Sequence, residues 1–283
     1  MKIFTSPKEM QTFVKQAKAD GKYVGLVPTM GAFHEGHLSL MRRARAENDI
    51  VITSIFVNPT QFGPKEDYDA YPRDLENDSR MAEEIGVDII FAPTVKDMYP
   101  QGYATFVNVE RITEKMCGTS RPNHFRGVAT VVTKLFNIIP AHKAYFGQKD
   151  AQQCVVIKQM VRDLNFDIEI VVLPTVRESD GLAMSSRNKY LNDEERKSAL
   201  VLFKSLSMAK EIIKSGEINS EKIKQKMLDI INTEPLAKVD YISIVDAETL
   251  EDRDNIKENT LIALAVFIGK TRLIDNIIID SSV

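Results

Sequence analysis

Two histidines three positions apart form the spacing in this chain that most strongly suggests chemistry. His34 and His37 lie in the segment PTMGAFHEGH, residues 28–37, and the chain has only four histidines. Imidazole N–H groups can donate to phosphate oxygens and to the charge that develops on phosphorus during attack. The pair therefore suits transfer of a nucleotidyl group from ATP, although a histidine here can also be a helix cap or a packed surface group.

The segments on either side of the pair indicate how it would be positioned. Residues 23–27 (YVGLV) predict a buried strand, and residues 38–44 (LSLMRRA) predict the first turns of a helix. A strand, a glycine-bearing turn and a helix N-terminus form an anion site, because backbone N–H groups and the helix dipole point at the ligand. The sequence therefore predicts phosphate binding at residues 28–37.

The order of the other segments predicts an α/β fold with a doubly wound parallel sheet. Apolar strand-like segments alternate with helix-like segments, which is typical of parallel βαβ units with helices on both faces of the sheet. The predicted strands are 23–27, 49–57, 87–91, 143–147 and 167–173, and the predicted helices are 7–21, 37–48, 74–86, 127–136 and 150–164.

The pattern changes in the last third of the chain. A long amphipathic helix is predicted at 192–216 and a second helix at 220–232, followed by strands at 240–245, 261–268 and 271–279. Helices followed by strands predict a smaller C-terminal α+β domain. We expect the boundary near residues 177–179, which gives domains 1–177 and 178–283.

Polar residues recur after the predicted strands, where a doubly wound sheet binds its ligands. Lys149 can neutralise phosphate oxygens, and Ser185, Ser186 and Arg187 offer hydroxyls and a bidentate fork for the same purpose. Gly147 would let the backbone approach a ligand closely. A single lysine or arginine in such a place can also be an ordinary solvated charge.

Two amides and one carboxylate extend this set. Gln61 and Gln153 can each donate and accept, which suits a hydroxyl-bearing organic acid better than a metal. Asp78 lies on a predicted helix and is a candidate Mg²⁺ ligand, because Mg²⁺ usually binds one or two carboxylates plus nucleotide phosphates; a solvated helix face is the alternative. Residues 118–127 can be a lid or a plain structural loop.

The composition of the chain and the motifs that it lacks exclude several classes of protein. The formal charge of −3 gives no excess of positive charge for nucleic acid or anionic membrane, and no apolar run is long enough to span a bilayer. The two cysteines have no metal-ligand spacing, and no secretory signal begins the chain, so we expect reduced thiols and a cytoplasmic location. There is no P-loop and no G-x-G-x-x-G fingerprint, so ATP use would depend on the histidine turn.

Six segments between residues 25 and 190 together carry a family resemblance. They resemble, in the same order, the motifs of the pantothenate synthetase (pantoate–β-alanine ligase) family. The segments are PTMG with HEGH at 28–37, FVNPTQF at 56–62, YPR at 71–73, RPNHFRGV at 121–128, FGQKD at 146–150 and MSSRN at 184–188. The remainder resembles the family's C-terminal domain in length and pattern only.

The resemblance implies a fold and a reaction. The fold would be a Rossmann-like nucleotide- and pantoate-binding domain with a C-terminal lid domain that closes over ATP. The reaction would use ATP with Mg²⁺ to convert (R)-pantoate into pantoyl adenylate and pyrophosphate, and β-alanine would then displace AMP to give pantothenate. Members of the family are typically cytoplasmic homodimers without nucleic-acid or membrane partners.

The resemblance also assigns residues. The implied catalytic residues are His34, His37 and Lys149, with Gln61, Gln153 and Asn58 on pantoate, Gln61 also near β-alanine, and Asp78 on Mg²⁺. The implied ATP-binding residues are Met30, Gly31, Ala32, Phe33, His34, Glu35, Gly36, His37, Gly147, Gln148, Lys149, Asp150, Val176, Met184, Ser185, Ser186 and Arg187.

Two other functions are compatible with the histidine turn alone. A nucleotidyltransferase acting on a phosphorylated acceptor would need extra cations where this chain has Gln61 and Gln153. A non-catalytic ATP-binding module would keep the fold without the reaction.

Overall fold

The structure, a computed structural model, describes residues 1–64 and 66–280. These residues form two compact units. The first contains Met1–Glu110, Arg121–Gly147 and Val156–Pro174, and the second contains Arg111–Ser120, Gln148–Val155 and the chain from Thr175 onward. The domain ranges 1–177 and 178–283 stay a prediction.

The first unit is built on a six-stranded sheet in which every strand pair is parallel. Its strands are β1 (Lys2–Phe4), β2 (Val24–Thr29), β3 (Ile50–Ile55), β4 (Ile89–Phe91), β5 (Lys143–Gly147) and β6 (Glu169–Leu173). The order across the sheet is β1-β4-β3-β2-β5-β6, so the strand order reverses beside β2. Such a reversal is where a doubly wound sheet binds its ligand, and the predicted Rossmann-like fold is confirmed.

Helices follow these strands much as the sequence predicts. They are α1 (Pro7–Ala19), α2 (Glu35–Glu47), α3 (Leu75–Ile85), α4 (Val95–Met98), α5 (Cys117–Ser120), α6 (His124–Ile138) and α7 (Ala151–Asp163). Local signals set their ends: Asp74 caps α3 through a bond from the Asn77 N–H, and Gly86 ends it at a φ of 87°. Buried side chains of β2, β3 and β4 pack with those of α2 and α3 in one apolar cluster, which fixes the start of α2 at the end of β2.

The second unit has a three-stranded antiparallel sheet, β7 (Ala237–Asp246), β8 (Thr260–Ile268) and β9 (Thr271–Ile279). Helices α8 (Asp193–Ser198), α9 (Leu200–Lys214) and α10 (Ser220–Ile231) precede it, and α9 and α10 share a buried apolar cluster with the sheet. A second cluster joins Met116, Ala151 and Val155 to this sheet, which explains why two short earlier segments belong to this unit. The predicted small α+β domain is confirmed, but the predicted helix 192–216 is divided at Ala199.

Over residues 1–64 and 66–280, no helix is both long and apolar enough to cross a membrane.

Candidate active site

The turn after β2 has a backbone that few residues can adopt. Gly31 and Ala32 both have positive φ values, 82° and 54°. A Cβ on Gly31 would also stand 2.8 Å from Oδ2 of Asp78. Glycine is therefore required at position 31, and Ala32 keeps a strained conformation that the surrounding contacts must hold.

Asp78 provides those contacts. It is 1% exposed, and its two carboxylate oxygens accept the backbone N–H groups of Ala32 and Phe33, both at 2.8 Å. Charge-assisted bonds of this kind are stronger than neutral ones. The solvated helix face considered for Asp78 is wrong, because this first-turn residue of α3 points inward and holds the turn.

The two histidines cap the helix that follows. Nδ1 of His34 accepts the N–H of Gly36 at 3.1 Å, and Nδ1 of His37 accepts the N–H of His34 at 3.4 Å. The rings lie 4.2 Å apart. Because each Nδ1 is an acceptor, each neutral ring carries its proton on Nε2. The two interpretations, a helix cap and an anion site, are thus compatible. In each ring Nδ1 accepts a backbone N–H, and Nε2 carries the N–H that can donate to an anion.

Other members of the turn have different surroundings. Phe33 is buried and its ring lies 5.6 Å from that of His37. The Glu35 carboxylate forms an ion pair with Arg42 on the surface of α2. Thr29 accepts the N–H of Gly31 and donates to the carbonyl of Ser54, which ties the turn to β3.

A second polar cluster follows β3 in a short 3₁₀ turn, Pro59–Gln61, capped by Asn58. Asn58 is 1% exposed and Gln61 is 9% exposed. Nδ2 of Asn58 donates to Oε1 of Gln61 at 3.1 Å, and Nε2 of Gln61 donates to the Met30 thioether at 3.2 Å. Met30, Asn58 and Gln61 are therefore neighbours, as the predicted site requires.

A partly buried ion pair supports this turn from the other side. Arg121 binds both oxygens of Glu66 at 2.6 Å and donates to Nε2 of His124 at 3.0 Å. Since an arginine can only donate, Nδ1 of His124 carries the proton that bonds the Gln61 carbonyl at 2.8 Å. Burial alone would raise the pKa of Glu66, but hydrogen bonding and attraction by Arg121 lower it to about 2. These three residues fix the backbone of Gln61, so part of the candidate lid 118–127 is a structural support.

The close approach of α6 to the 3₁₀ turn depends on one glycine. A Cβ on Gly127 would lie 2.3 Å from the backbone oxygen of Thr60 and 2.6 Å from the backbone nitrogen of Gln61. Gly127→Ala should therefore displace the turn and lower the free energy of unfolding by about 1–3 kcal/mol, measured by urea denaturation. Gly63→Ala is the matched control, because its Cβ would meet only the Glu66 side chain at 3.6 Å. Equal stability of the two variants would contradict this packing argument.

In the second unit, the predicted phosphate-binding residues lie on two segments. Gln148–Asp150 is a 3₁₀ turn held by Asn276, whose Nδ2 donates to the carbonyls of Gln148 and Lys149, both at 3.0 Å. Asn276 Oδ1 accepts from the Gln148 amide at 3.0 Å. Lys149 is half-buried, and within residues 1–64 and 66–280 its ammonium forms no ion pair with a carboxylate. The bonds from Asn276 fix the backbone that carries this cation, which can pair with an anionic ligand.

The other segment is the loop before α8. The Met184 N–H donates to the Val176 carbonyl at 3.0 Å, which places these two predicted residues side by side. Ser185 caps the 3₁₀ turn Ser186–Tyr190 by accepting the Arg187 N–H at 3.2 Å. Gln153 lies half-buried on the first turn of α7.

The residue proposed for Mg²⁺ does not fit a resident metal site. Both oxygens of Asp78 already accept backbone N–H groups in a buried position. In the part of the chain that the structure describes, no three His, Cys, Asp or Glu side chains lie close enough to hold a metal ion.

Several residues of this geometry were not predicted from the sequence. Tyr99, Glu66 and Asn276 contact predicted site residues but lie far from them along the chain, and no local pattern marks them. Arg121 and His124 lie in the segment RPNHFRGV, one of the six that carry the family resemblance, and in the candidate lid 118–127. Neither pattern connects these two residues to Gln61.

Comparison with known proteins gives one consistent family. A family model described as pantoate-beta-alanine ligase matches residues 2–278. Pantothenate synthetase of Acetivibrio thermocellus is 59% identical over 280 residues, covering 99% of this chain and 100% of the relative. Pantothenate synthetase of Pelotomaculum thermopropionicum is 58% identical, with 99% of each chain covered.

Solved structures agree with the sequence comparison. Pantothenate synthetase from Thermus thermophilus superimposes with a TM-score of 0.94 at 45% identity, covering 99% of this chain and 100% of that one. A pantoate-beta-alanine ligase from Francisella tularensis, described as complexed with beta-gamma ATP and beta-alanine, gives a TM-score of 0.80 at 38% identity, covering 98% and 97%.

Proposed function

This chain belongs to the pantoate–β-alanine ligase family, and we propose that it condenses (R)-pantoate with β-alanine at the expense of ATP. The observation that carries the proposal is the turn at residues 28–37. Two imidazoles there stand at one helix N-terminus, and each Nδ1 accepts a backbone N–H. That arrangement gives two directed N–H donors beside the positive end of a helix dipole, which is suited to a polyphosphate.

The reaction has two steps. A carboxylate oxygen of pantoate attacks the α-phosphorus of ATP, the bond to the bridging oxygen breaks, and pyrophosphate leaves. The amine of β-alanine then attacks the acyl carbon of pantoyl adenylate, loses a proton, and AMP leaves with the former carboxylate oxygen. Activation is needed because a carboxylate is a poor acylating agent, whereas its mixed anhydride with AMP is a good one.

His34 and His37 would act on the phosphates in the first step. Charge builds on the α-phosphoryl oxygens and on the leaving pyrophosphate, and preorganised N–H donors stabilise such charge without reorganising. Lys149 would add a cation to the same charge, with Ser185, Ser186 and Arg187 as further donors to the nucleotide. The backbone of residues 30–37, residues 147–150, Val176 and Met184 would line ATP.

The amides would hold the organic acid. Gln61 and Gln153 would bind the hydroxyl and carboxylate oxygens of pantoate, and Gln61 would also lie near β-alanine. Asn58 would orient Gln61, because both of its N–H donors bind protein acceptors, Oε1 of Gln61 and the Gly127 carbonyl.

Mg²⁺ would enter with ATP rather than occupy a site on the protein. From the family resemblance we also propose that the protein is a cytoplasmic homodimer and that its C-terminal domain acts as a lid.

The test is AMP release from Mg·ATP with (R)-pantoate, with and without β-alanine. AMP and pantothenate in equal amounts, formed only with both substrates, are the expected products. A parallel reaction in EDTA should give no AMP until Mg²⁺ is restored in excess. A nucleotide joined to another acceptor, or ATP bound without AMP formation, would overturn the proposed function and support one of the two alternatives.

A further inference from the structure

We propose that Tyr99 is a positioning residue for pantoate, which acts by locking the side-chain amide of Asn58 and, through it, that of Gln61. The inference deepens the proposed function and rests on it, because it concerns the pantoate contact of Gln61. Tyr99 belongs to no motif identified from the sequence and lies 41 positions after Asn58 along the chain.

The Tyr99 hydroxyl makes the shortest contact in the cluster around Asn58. It donates to Oδ1 of Asn58 at 2.8 Å, and Oδ1 also accepts from Oγ1 of Thr60 at 3.0 Å and from its backbone N–H at 3.4 Å. On the other side, Nδ2 of Asn58 donates to the backbone carbonyl of Gly127 at 3.2 Å. A backbone N–H can only donate and a backbone carbonyl can only accept, so the amide has a single orientation.

The orientation of Asn58 determines that of Gln61. Because Nδ2 of Asn58 points at Gln61, the atom it meets must be the acceptor Oε1, at 3.1 Å. Nε2 of Gln61 is then directed to the other side, where its hydrogen-bond partner among residues 1–64 and 66–280 is the Met30 sulfur. A thioether is a weak acceptor, so a carboxylate or hydroxyl oxygen of pantoate is the stronger partner for this N–H group.

Tyr99 is itself fixed in place and remains a donor. Its ring packs edge-on against Tyr103, with centroids 4.9 Å apart, and lies 6.2 Å from the ring of Phe56. Burial raises the pKa of Tyr99 to about 12. The phenol therefore stays protonated over the whole working range of an enzyme.

The central variant is Tyr99→Phe, which keeps the ring and removes the donor. With one hydrogen bond to a buried acceptor lost, we expect the KM for pantoate to rise by roughly 5- to 10-fold with the KM for ATP unchanged. The matched control is Tyr103→Phe, because the Tyr103 hydroxyl has no hydrogen bond among the described residues. Both KM values of this control should equal those of the wild type.

A double-mutant cycle separates positioning from a general structural effect. In an Asn58→Ala background, Tyr99→Phe should cause no further rise in the KM for pantoate, because the group through which it acts is gone. Asn58→Asp is a second variant, which keeps the acceptor for Tyr99 but replaces the N–H donor to Gln61 by an oxygen. It should also raise the KM for pantoate without changing the KM for ATP. An unchanged KM for pantoate in Tyr99→Phe or in Asn58→Asp, or additive effects in the cycle, would overturn the inference alone. Absence of pantoate-dependent AMP release in the wild type would overturn the proposed function together with it.

Discussion

His37→Ala is expected to slow the formation of pantoyl adenylate by about 10²- to 10³-fold, the usual cost of losing one preorganised transition-state donor. Nδ1 of His37 accepts a backbone N–H, so the ring is held with Nε2 as its donor. Alanine removes this donor. The protein otherwise loses only the long 3.4 Å hydrogen bond from the His34 N–H, so the fold should persist. The rate of pyrophosphate release in single-turnover reactions measures the effect.

Two further variants identify what His37 does. His37→Gln places an amide N–H near the former Nε2, so it should recover part of the rate if the role is electrostatic, whereas proton donation would not be recovered. His142→Ala is the matched control, because Nδ1 of His142 also accepts a backbone N–H, that of Val24 at 3.0 Å, at the amino end of β2. A near-normal rate in His37→Ala would remove this residue from the mechanism.

Asp78→Asn is expected to destabilise the protein by about 2–4 kcal/mol and to impair use of ATP. Asparagine keeps one acceptor but turns an NH₂ group toward the second backbone N–H, so one buried N–H loses its acceptor and faces another donor. The turn that carries the histidines then loses its anchor, and Ala32 has less to hold its positive φ. Urea unfolding, measured in EDTA without nucleotide, gives the change in stability.

The metal-free condition separates an anchor from a metal ligand. If Asp78 served only to bind Mg²⁺, Asp78→Asn would leave the free energy of unfolding of the metal-free protein unchanged. Glu76→Gln is the matched control, because Glu76 is an exposed acid in the same first turn of α3 and loses the same charge. If Asp78→Asn were as stable as this control in EDTA, and lost activity only through a weaker response to Mg²⁺, the anchoring role would be contradicted.

Elements whose determinants are local could be predicted from the sequence. Apolar runs marked five of the six parallel strands, and the turn at 28–37 was located because glycine and histidine follow one of those runs directly. The strand β1 was missed because three residues, Lys2–Phe4, are too few to show a pattern. The break at Ala199 was missed because its sequence continues an amphipathic helix without interruption.

Side-chain partners that are distant in sequence could not be predicted. The helical position of Asp78 is compatible with solvent, a metal or a buried backbone, and only the fold brings the N–H groups of Ala32 and Phe33 to it. Tyr99 meets Asn58 for the same reason, since α3, β4 and α4 lie between them in the chain and no motif includes Tyr99. Motifs thus supplied the residues that we propose contact substrates, whereas the residues that orient them became visible only in three dimensions.

The most direct test of the account is to follow a heavy oxygen isotope from the carboxylate of (R)-pantoate during turnover with Mg·ATP and β-alanine. If the carboxylate attacks the α-phosphorus, mass spectrometry should find one heavy oxygen atom in AMP and one in the amide carbonyl of pantothenate. Label in inorganic phosphate with ADP as the nucleotide product, or unlabelled AMP with the second heavy oxygen atom in water, would contradict the adenylate route and the role given to the histidine turn.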